Sequence, residues 1–356
     1  MKLYAGIDLH GNNHCLVIID EQDQVVYRKR QKNDWGMLRS SLEPYREQLT
    51  GLVVESTYNW YWMVDSLQED GWRVHLANPL ANRQYAGIKE TNDWTDSMWL
   101  AHLLRLGILA EGYIYPKEQR AVRDLLRKRL QLVQQRTAQI LSLQGWITRQ
   151  TGKNIPIRKL EGWLQEEGRP QFVTDLALVP EVSLRVIHRF HEEIHQLDAH
   201  LKKKLQADPA SRRLEGIWGI GEMLSRTILL ETGPIQRFPS VGDYCSYCRV
   251  VPSQKWSNGK KKGKNNSKCG NPYLSWAFSQ AAHYAAMFYE TAKRYTEKKS
   301  RQRGKILGHR ALAHKLCRAT YYILRDQVEF DPTMLFGSTS GSRSENPAKS
   351  LVPNPT

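Results

Sequence analysis

Apolar positions change their period along the chain, and each change marks a different kind of segment. Leu3–Asp8, His14–Ile19 and Gln24–Arg30 are short strand-like runs, with Gly11-Asn12-Asn13 as a turn between the first two. From about Asp34 to Gln48, Trp35, Leu38, Leu42 and Tyr45 recur at helical spacing. GLVVE at 51–55 reads as a buried strand, followed by a helix around 58–68 and a fifth strand at Trp72–Leu76. A further helix begins near Asp93 and carries Met98, Leu100, Leu103 and Leu104. Three strands followed by alternating helix and strand predict a mixed α/β sheet with an antiparallel first half.

Residues 118–205 keep a longer rhythm. Val122, Leu126, Leu130, Val133, Ile140 and Ile147 hold roughly heptad spacing, with Arg120, Arg123, Arg127, Lys128, Arg129 and Arg136 on the remaining faces. After breaks at Gly152–Pro156 and Gly168–Pro170, Ile187, Phe190, Ile194, Leu197 and Leu201 repeat at alternating three- and four-residue steps. An antiparallel helical hairpin or an intermolecular coiled coil explains both stretches, and two ordinary core helices are the plainer alternative. Beyond them, LEGIWGIG at 214–221 opens the apolar helix Met223–Leu230, a turn whose backbone N–H groups could face a phosphate. A lysine-rich loop follows, then helices around 271–289 and 310–325 and a tail rich in Ser, Pro and Asn.

The chain has 356 residues, which suggests about two domains. No run approaches the ~18 apolar residues of a membrane span. Five cysteines, an odd number in so long a chain, do not make a disulfide framework, so a reducing cytoplasm is the expected location. Charge sharpens the picture. The net charge is +16, but residues 1–111 carry 11 Lys+Arg and 15 Asp+Glu, a net of −4, which leaves 41 and 21 for the remainder, a net of +20. A segment so basic is expected to neutralise nucleic-acid phosphates.

Two constellations carry candidate chemistry. Asp8 ends the first strand, Glu55 ends the fourth, and Asp93 and Asp96 lie three apart on one helix face. Such carboxylates can converge as hard oxygen ligands for one or two Mg²⁺ ions acting on a phosphodiester, although an Asp ending a strand is commonly a turn or cap residue. The second is PSQKWSNGKKKGKNNSKCGN at 252–271, which holds Lys255, Lys260, Lys261, Lys262, Lys264 and Lys268 with no acidic residue. Ser257 within it could attack a bound phosphate, or be an ordinary polar loop serine. Cys245-x-x-Cys248 with Cys269 and His283 could sketch a zinc site, packed thiols being the alternative. His309, His314 and Cys317 fall on a basic helix and read as packing or phosphate contacts.

These residues together resemble the DEDD transposases of insertion sequences, the bridge-RNA-guided serine recombinases, over about residues 3–325. YAGIDLH, VVES and TNDWTD resemble the family's RuvC-like domain, and IWGIGEMLSRTILLETG, RFPSVGDYCSYCRVVPS, SNGKKKG and KCGNPYLSWAFSQAA its C-terminal transposase domain. The resemblance implies an α/β RuvC-like ribonuclease-H fold at 1–111, a helical coiled-coil region at 112–210, a mainly helical transposase domain at 211–330 and a disordered tail at 331–356. It places Mg²⁺ on Asp8, Glu55, Asp93 and Asp96 and the nucleophile at Ser257. Where many members read Ser-Gly, this chain has Ser257-Asn258-Gly259, which leaves Ser253 as an alternative; Cys248-Arg249-Val250-Val251 replaces the usual small residues. Nucleic-acid contacts are expected from Arg127, Lys128 and Arg129, from the six lysines and from Asn271. The implied partners are donor and target double-stranded DNA, a structured guide RNA and further copies of the chain, as dimers assembling into a tetramer associated with the nucleoid. A Holliday-junction-type metal nuclease and a catalytically inert nucleic-acid-bridging protein are the competing readings.

Overall fold

The computed structural model describes residues 1–82, 92–156, 159, 178–204, 208–252, 254–264 and 269–337. The chain divides into two compact units, Met1–Lys117 and Glu118–Thr356. Among the described residues, no helix is long and apolar enough to cross a membrane.

The first unit is a five-stranded sheet of β1 (Leu3–Leu9), β2 (Asn13–Ile19), β3 (Val25–Lys32), β4 (Leu49–Glu55) and β5 (Val74–Ala77), in the order β3-β2-β1-β4-β5. β1–β2 and β2–β3 pair antiparallel, the antiparallel first half of a mixed sheet that the order of runs predicts, and β1–β4 and β4–β5 pair parallel. β1 and β4 are nearly continuous in buried residues because helices cover both faces of the sheet, while VVYRKRQK of edge strand β3 is mostly exposed. On one face α1 (Trp35–Leu42) and α2 (Tyr61–Glu69) bury Leu38, Leu42, Met63, Val64 and Leu67 against Leu3, Ala5, Ile7, Leu52 and Val54. Asp34 caps α1 through Met37 N–H. The helix expected to continue to Gln48 stops at Leu42, because Pro44 has no N–H for the next turn and a short 3₁₀ turn takes over at Glu43–Tyr45. α3 (Pro79–Asn82) is a single turn, and α4 (Asp93–Arg105) covers the other face, with Leu100 and Ala101 against Val17, Ile19, Val53 and Ala77.

In the second unit α5 (Lys117–Thr151) and α6 (Leu178–Lys204) run antiparallel. Ile140, Leu143, Trp146 and Ile147 pack on Leu184 and Ile187, and Leu126 on Leu201 at the other end. Arg129 pairs with Asp198 midway. Buried positions of the apolar rhythm are therefore paired within one chain, by the hairpin. Helices α7 (Pro209–Glu215), α8 (Glu222–Thr232), α9 (Val241–Tyr247), α10 (Pro272–Phe288), α11 (Glu290–Arg303) and α12 (Lys305–Asp326) enclose a separate core centred on Tyr244, Phe278, Leu312 and Leu316. Asp331–Gly337, expected to begin the tail, instead forms the short helix α13 (Pro332–Phe336), because Phe336 has an aromatic surface to cover: it stacks on Trp218 at 5.5 Å. The rest of the tail lies outside the described residues.

Candidate active site

Strand parity sets the first half of the site. Side chains alternate between faces, so Gly6 and Asp8 of β1 point the same way as Val53 and Glu55 of β4, toward α4. Gly6 allows the helix to come close, since a Cβ there would stand 1.9 Å from the Ser97 carbonyl oxygen. The Ser97 hydroxyl donates to the Cys15 carbonyl at 2.9 Å and ties the same turn to β2. Asn92 starts α4 with a capping box, its Oδ1 accepting from Trp94 and Thr95 N–H and its own N–H donating to Thr95 Oγ1. The acidic first turn is thereby delivered to the ends of β1 and β4.

Asp8 is 4% exposed and shares a side-chain hydrogen bond with Glu55. Burial pushes its carboxyl above the ordinary range; Glu55 and His10 oppose the shift, and the nearby charges of Asp96 and Asp93 add to it. All four acidic residues expected to act together are thus within one electrostatic neighbourhood. A buried carboxyl among three others is short of positive charge, and this donor set fits a divalent cation.

Three further side chains enter the cluster. His10 Nε2 lies 3.3 Å from Asp8 Oδ2 and 3.5 Å from Asp93 Oδ2, buried and without hydrogen-bond geometry. The Arg30 guanidinium reaches across from β3 to pair with Asp93, and its Nε sits 3.2 Å from Cys15 Sγ. Burial pushes the Cys15 thiol up. Among the described residues, the trio of metal-ligating types whose atoms lie within 4.8 Å of one another is His10, Cys15 and Asp93. Nothing in the local sequence marked His10 or Arg30.

The other half of the expected chemistry lies in the second unit. QKWSNGKKKGK at 254–264 is a β-hairpin, not a loop: β6 (Gln254–Ser257) pairs antiparallel with β7 (Lys260–Lys264), with Ser257 opposite Lys260. Asn258 and Gly259, at φ 50° and 67°, form the two-residue turn. Left-handed conformation at both central positions is what Asn-Gly supplies, so the residue inserted between Ser and Gly builds the turn itself. Ser257 is the last residue before that turn. Ser253 and Lys268 lie outside the described residues.

Two family models match the chain on these same two regions. One, described as a transposase of the DEDD, IS110 type, covers residues 5–149. The other, described as "Transposase IS116/IS110/IS902 family", covers residues 211–297. The chain belongs to the DEDD transposases of the IS110 family. It is 23% identical over 350 residues to a "Probable family 20 transposase" of Pseudomonas aeruginosa, covering 92% of this chain and 98% of that one. The transposase of insertion sequence element IS1111A from Coxiella burnetii is 24% identical over 83% of this chain and 80% of its own. That of IS1328 from Yersinia enterocolitica is 23% identical over 78% and 82%.

Arg127, Arg129 and Asn271, expected to hold nucleic acid in this transposase, also have partners within the chain. Arg127 makes a two-pronged pair with buried Glu231, at 2.5 and 2.7 Å, and stacks over Tyr273. Arg129 is buried against Asp198. Asn271 caps α10 through Tyr273 and Leu274 N–H and donates to Glu231 at 2.7 Å. These partners stand far away in sequence, and Glu231 and Asp198 balance the two arginine charges. Lys128, Lys260 and Lys262 are exposed.

The glycine turn before α8 also serves packing within the unit. Gly219, at φ 82°, is pressed against α10, where a Cβ would meet the Ala281 carbonyl oxygen at 2.1 Å, and Glu222 puts a carboxylate in the first turn of the helix. Cys245 and Cys248 assemble with Cys317 and His314, while Cys269 is exposed. Hydrogen bonding to Cys317, then His314 with its charge and that of Arg318, pull the Cys245 thiol down to about 6.

A cleft of about 350 Å³ opens where the chain enters the hairpin, between Val250–Pro252 and Lys299, Arg303 and Arg310. No described carboxylate pairs with those three cations. The Lys315 ammonium is lowered by burial first and then by the charges of Arg318 and Lys299, so cations stand near one another on these helices. This is an anion-seeking surface that the spacing of basic residues in sequence did not announce.

Proposed function

We propose that this transposase cuts and rejoins DNA through a phosphoserine link at Ser257, in a site completed by Mg²⁺ on Asp8, Glu55, Asp93 and Asp96 and directed by a structured guide RNA. The observation that carries the reading is the gathering of four acidic residues from β1, β4 and α4 on one sheet face, in a DEDD transposase. Two carboxylates at the ends of adjacent parallel strands support a RuvC-like ribonuclease-H fold for this unit.

Divalent metal in such a cluster neutralises phosphate charge and stabilises a leaving oxygen. The Ser257 Oγ attacks phosphorus, the Oγ–P bond forms as one bridging P–O bond to a sugar breaks, and the hydroxyl proton passes to solvent while the departing sugar oxygen takes one up. Attack by the hydroxyl of a new strand reverses these bonds and frees Ser257. The bond energy is kept in the serine ester rather than lost to water, which is what a strand-joining enzyme needs beyond a nuclease.

Lys128, Lys260 and Lys262, the remaining hairpin lysines Lys255, Lys261 and Lys264, Lys268, and the cleft of Lys299, Arg303 and Arg310 would hold nucleic-acid backbones. Choice of sequence by base pairing to the guide agrees with diffuse positive charge and no evident base-reading motif. Assembly into dimers and tetramers would bring the two units of different copies to one site.

The test mixes purified protein with Mg²⁺, RNA transcribed from the element's flanks, and labelled donor and target DNA. A denaturant-resistant protein–DNA adduct, lost in both Ser257→Ala and Asp8→Ala, is the expected result. Cleavage without adduct that persists in Ser257→Ala would make the enzyme a hydrolytic nuclease instead.

A further inference from the structure

We propose that His10 supplies a nitrogen ligand to the acidic centre, making it a mixed oxygen–nitrogen site that takes Mn²⁺ in preference to Mg²⁺. The proposal rests on the reading of that centre as a metal site and assigns it a fifth donor.

His10 follows β1 directly, and its backbone is held from three sides. Its N–H donates to the Asn13 carbonyl at 2.9 Å, and its carbonyl accepts from Asn33 Nδ2 at 2.9 Å and from Asn59 Nδ2 at 3.0 Å. Asn59 is itself fixed by the Thr57 hydroxyl at 2.9 Å, and Asn33 by His14 Nδ1 at 3.1 Å. Two asparagines from separate loops thus orient one residue, and the residue aims its imidazole between Asp8 and Asp93. Nε2 is the atom that arrives there, buried and unpartnered. A merely structural histidine in reach of two carboxylates would be expected to donate to one of them; this nitrogen stands beside both without hydrogen-bonding either. A cation shared by both carboxylates would satisfy it through its lone pair.

Cys15, the other softer donor nearby, is engaged by Arg30 Nε, which leaves the imidazole as the added ligand. Imidazole nitrogen is a softer donor than carboxylate oxygen, and Mn²⁺, a transition metal though an oxygen-seeking one, accepts it more readily than Mg²⁺, which favours oxygen donors throughout. The consequence is a preference among metals that four carboxylates alone would not produce.

Full-length protein, His10→Gln and Asp8→Asn are titrated with Mn²⁺ and Mg²⁺ by calorimetry, and bound Mn²⁺ is probed by pulsed electron paramagnetic resonance. His10 is half-exposed as a side chain, at 38%, so glutamine opens no core, and circular dichroism checks the fold. The wild type should show nitrogen coupling to Mn²⁺ that His10→Gln lacks. His10→Gln should lose about tenfold or more in Mn²⁺ affinity, with Mg²⁺ affinity changed less than about twofold. Absence of nitrogen coupling in the wild type, or equal losses for both metals, overturns the ligand assignment. Asp8→Asn separates the two claims. If it binds both metals as the wild type does, the metal-centre reading itself fails; if it loses both while His10→Gln is unchanged, only the role of His10 fails.

Discussion

Burying Asp8 among three other carboxyls works against the stability of the metal-free chain. Its carboxyl is pushed above the ordinary range, so the folded protein holds that proton more tightly than the unfolded chain does. Stability from this group therefore grows as pH falls through the raised value and is diminished above it. Asp8→Asn imitates the protonated form at every pH. In chelator near neutral pH it should stabilise the protein by about 1 kcal/mol, with the gain shrinking on acidification, while it abolishes adduct formation. Thermal melts across pH check the sign, and a variant less stable than the parent would show that favourable contacts, not strain, hold the carboxylate. The acidic residues were legible in the sequence because strand ends and an i, i+3 pair are local signals. His10 and Arg30 were not, since what matters is where Asn33, Asn59 and the β2–β3 pairing put them.

At the scale of elements, the strand-like runs of the first unit named all five strands in order, because each buried strand is continuous in its own sequence and the exposed edge strand β3 opens on Val25, Val26 and Tyr27. The β6–β7 hairpin escaped the same reading. Its strands carry lysines in place of apolar alternation, and only Asn258-Gly259 signalled the turn. The helical rhythm of α5 and α6 was equally clear, yet whether its partner lay in the same chain depended on a pairing between positions as distant as Leu126 and Leu201. The ion pairs of Arg127 and Arg129 were hidden for a related cause: Glu231 and Asp198 are close only in the fold. Under the mechanism proposed above, the turn sets the position of the nucleophile Ser257. A β-branched residue at φ 67° is strained, so Gly259→Val should cost the hairpin about 1–3 kcal/mol and lower adduct formation roughly tenfold or more. Mn²⁺ binding, proposed above for the other unit, should stay as in the parent. Equal adduct yields from both proteins would mean that the hairpin does not position the nucleophile.

Across the whole molecule, charge and chemistry are kept apart. Residues 1–111 carry a net of −4 and hold the carboxylate cluster, whereas the remainder carries +20. Without metal, that cluster repels a phosphate, so attraction for nucleic acid has to come from the basic part, and it does not need the divalent ion. Chelator should therefore change DNA affinity by less than about twofold at fixed ionic strength while it removes the adduct entirely. The cleft of Lys299, Arg303 and Arg310 predicts where part of the attraction resides, because its cations have no described carboxylate to neutralise them. Replacing Arg303 and Arg310 with Glu should weaken binding across unrelated sequences and flatten the dependence of log affinity on log salt by roughly one unit for each phosphate that is no longer held. Fluorescence anisotropy with duplex DNA and with single-stranded RNA, each over a salt series, reads both effects and tells which polymer occupies the cleft. An unchanged slope for both would remove the cleft from the interface and leave the hairpin lysines to carry the backbone. A weakening that appeared only with Mg²⁺ present would instead place the first contact at the carboxylate cluster, and binding and catalysis would then share one site.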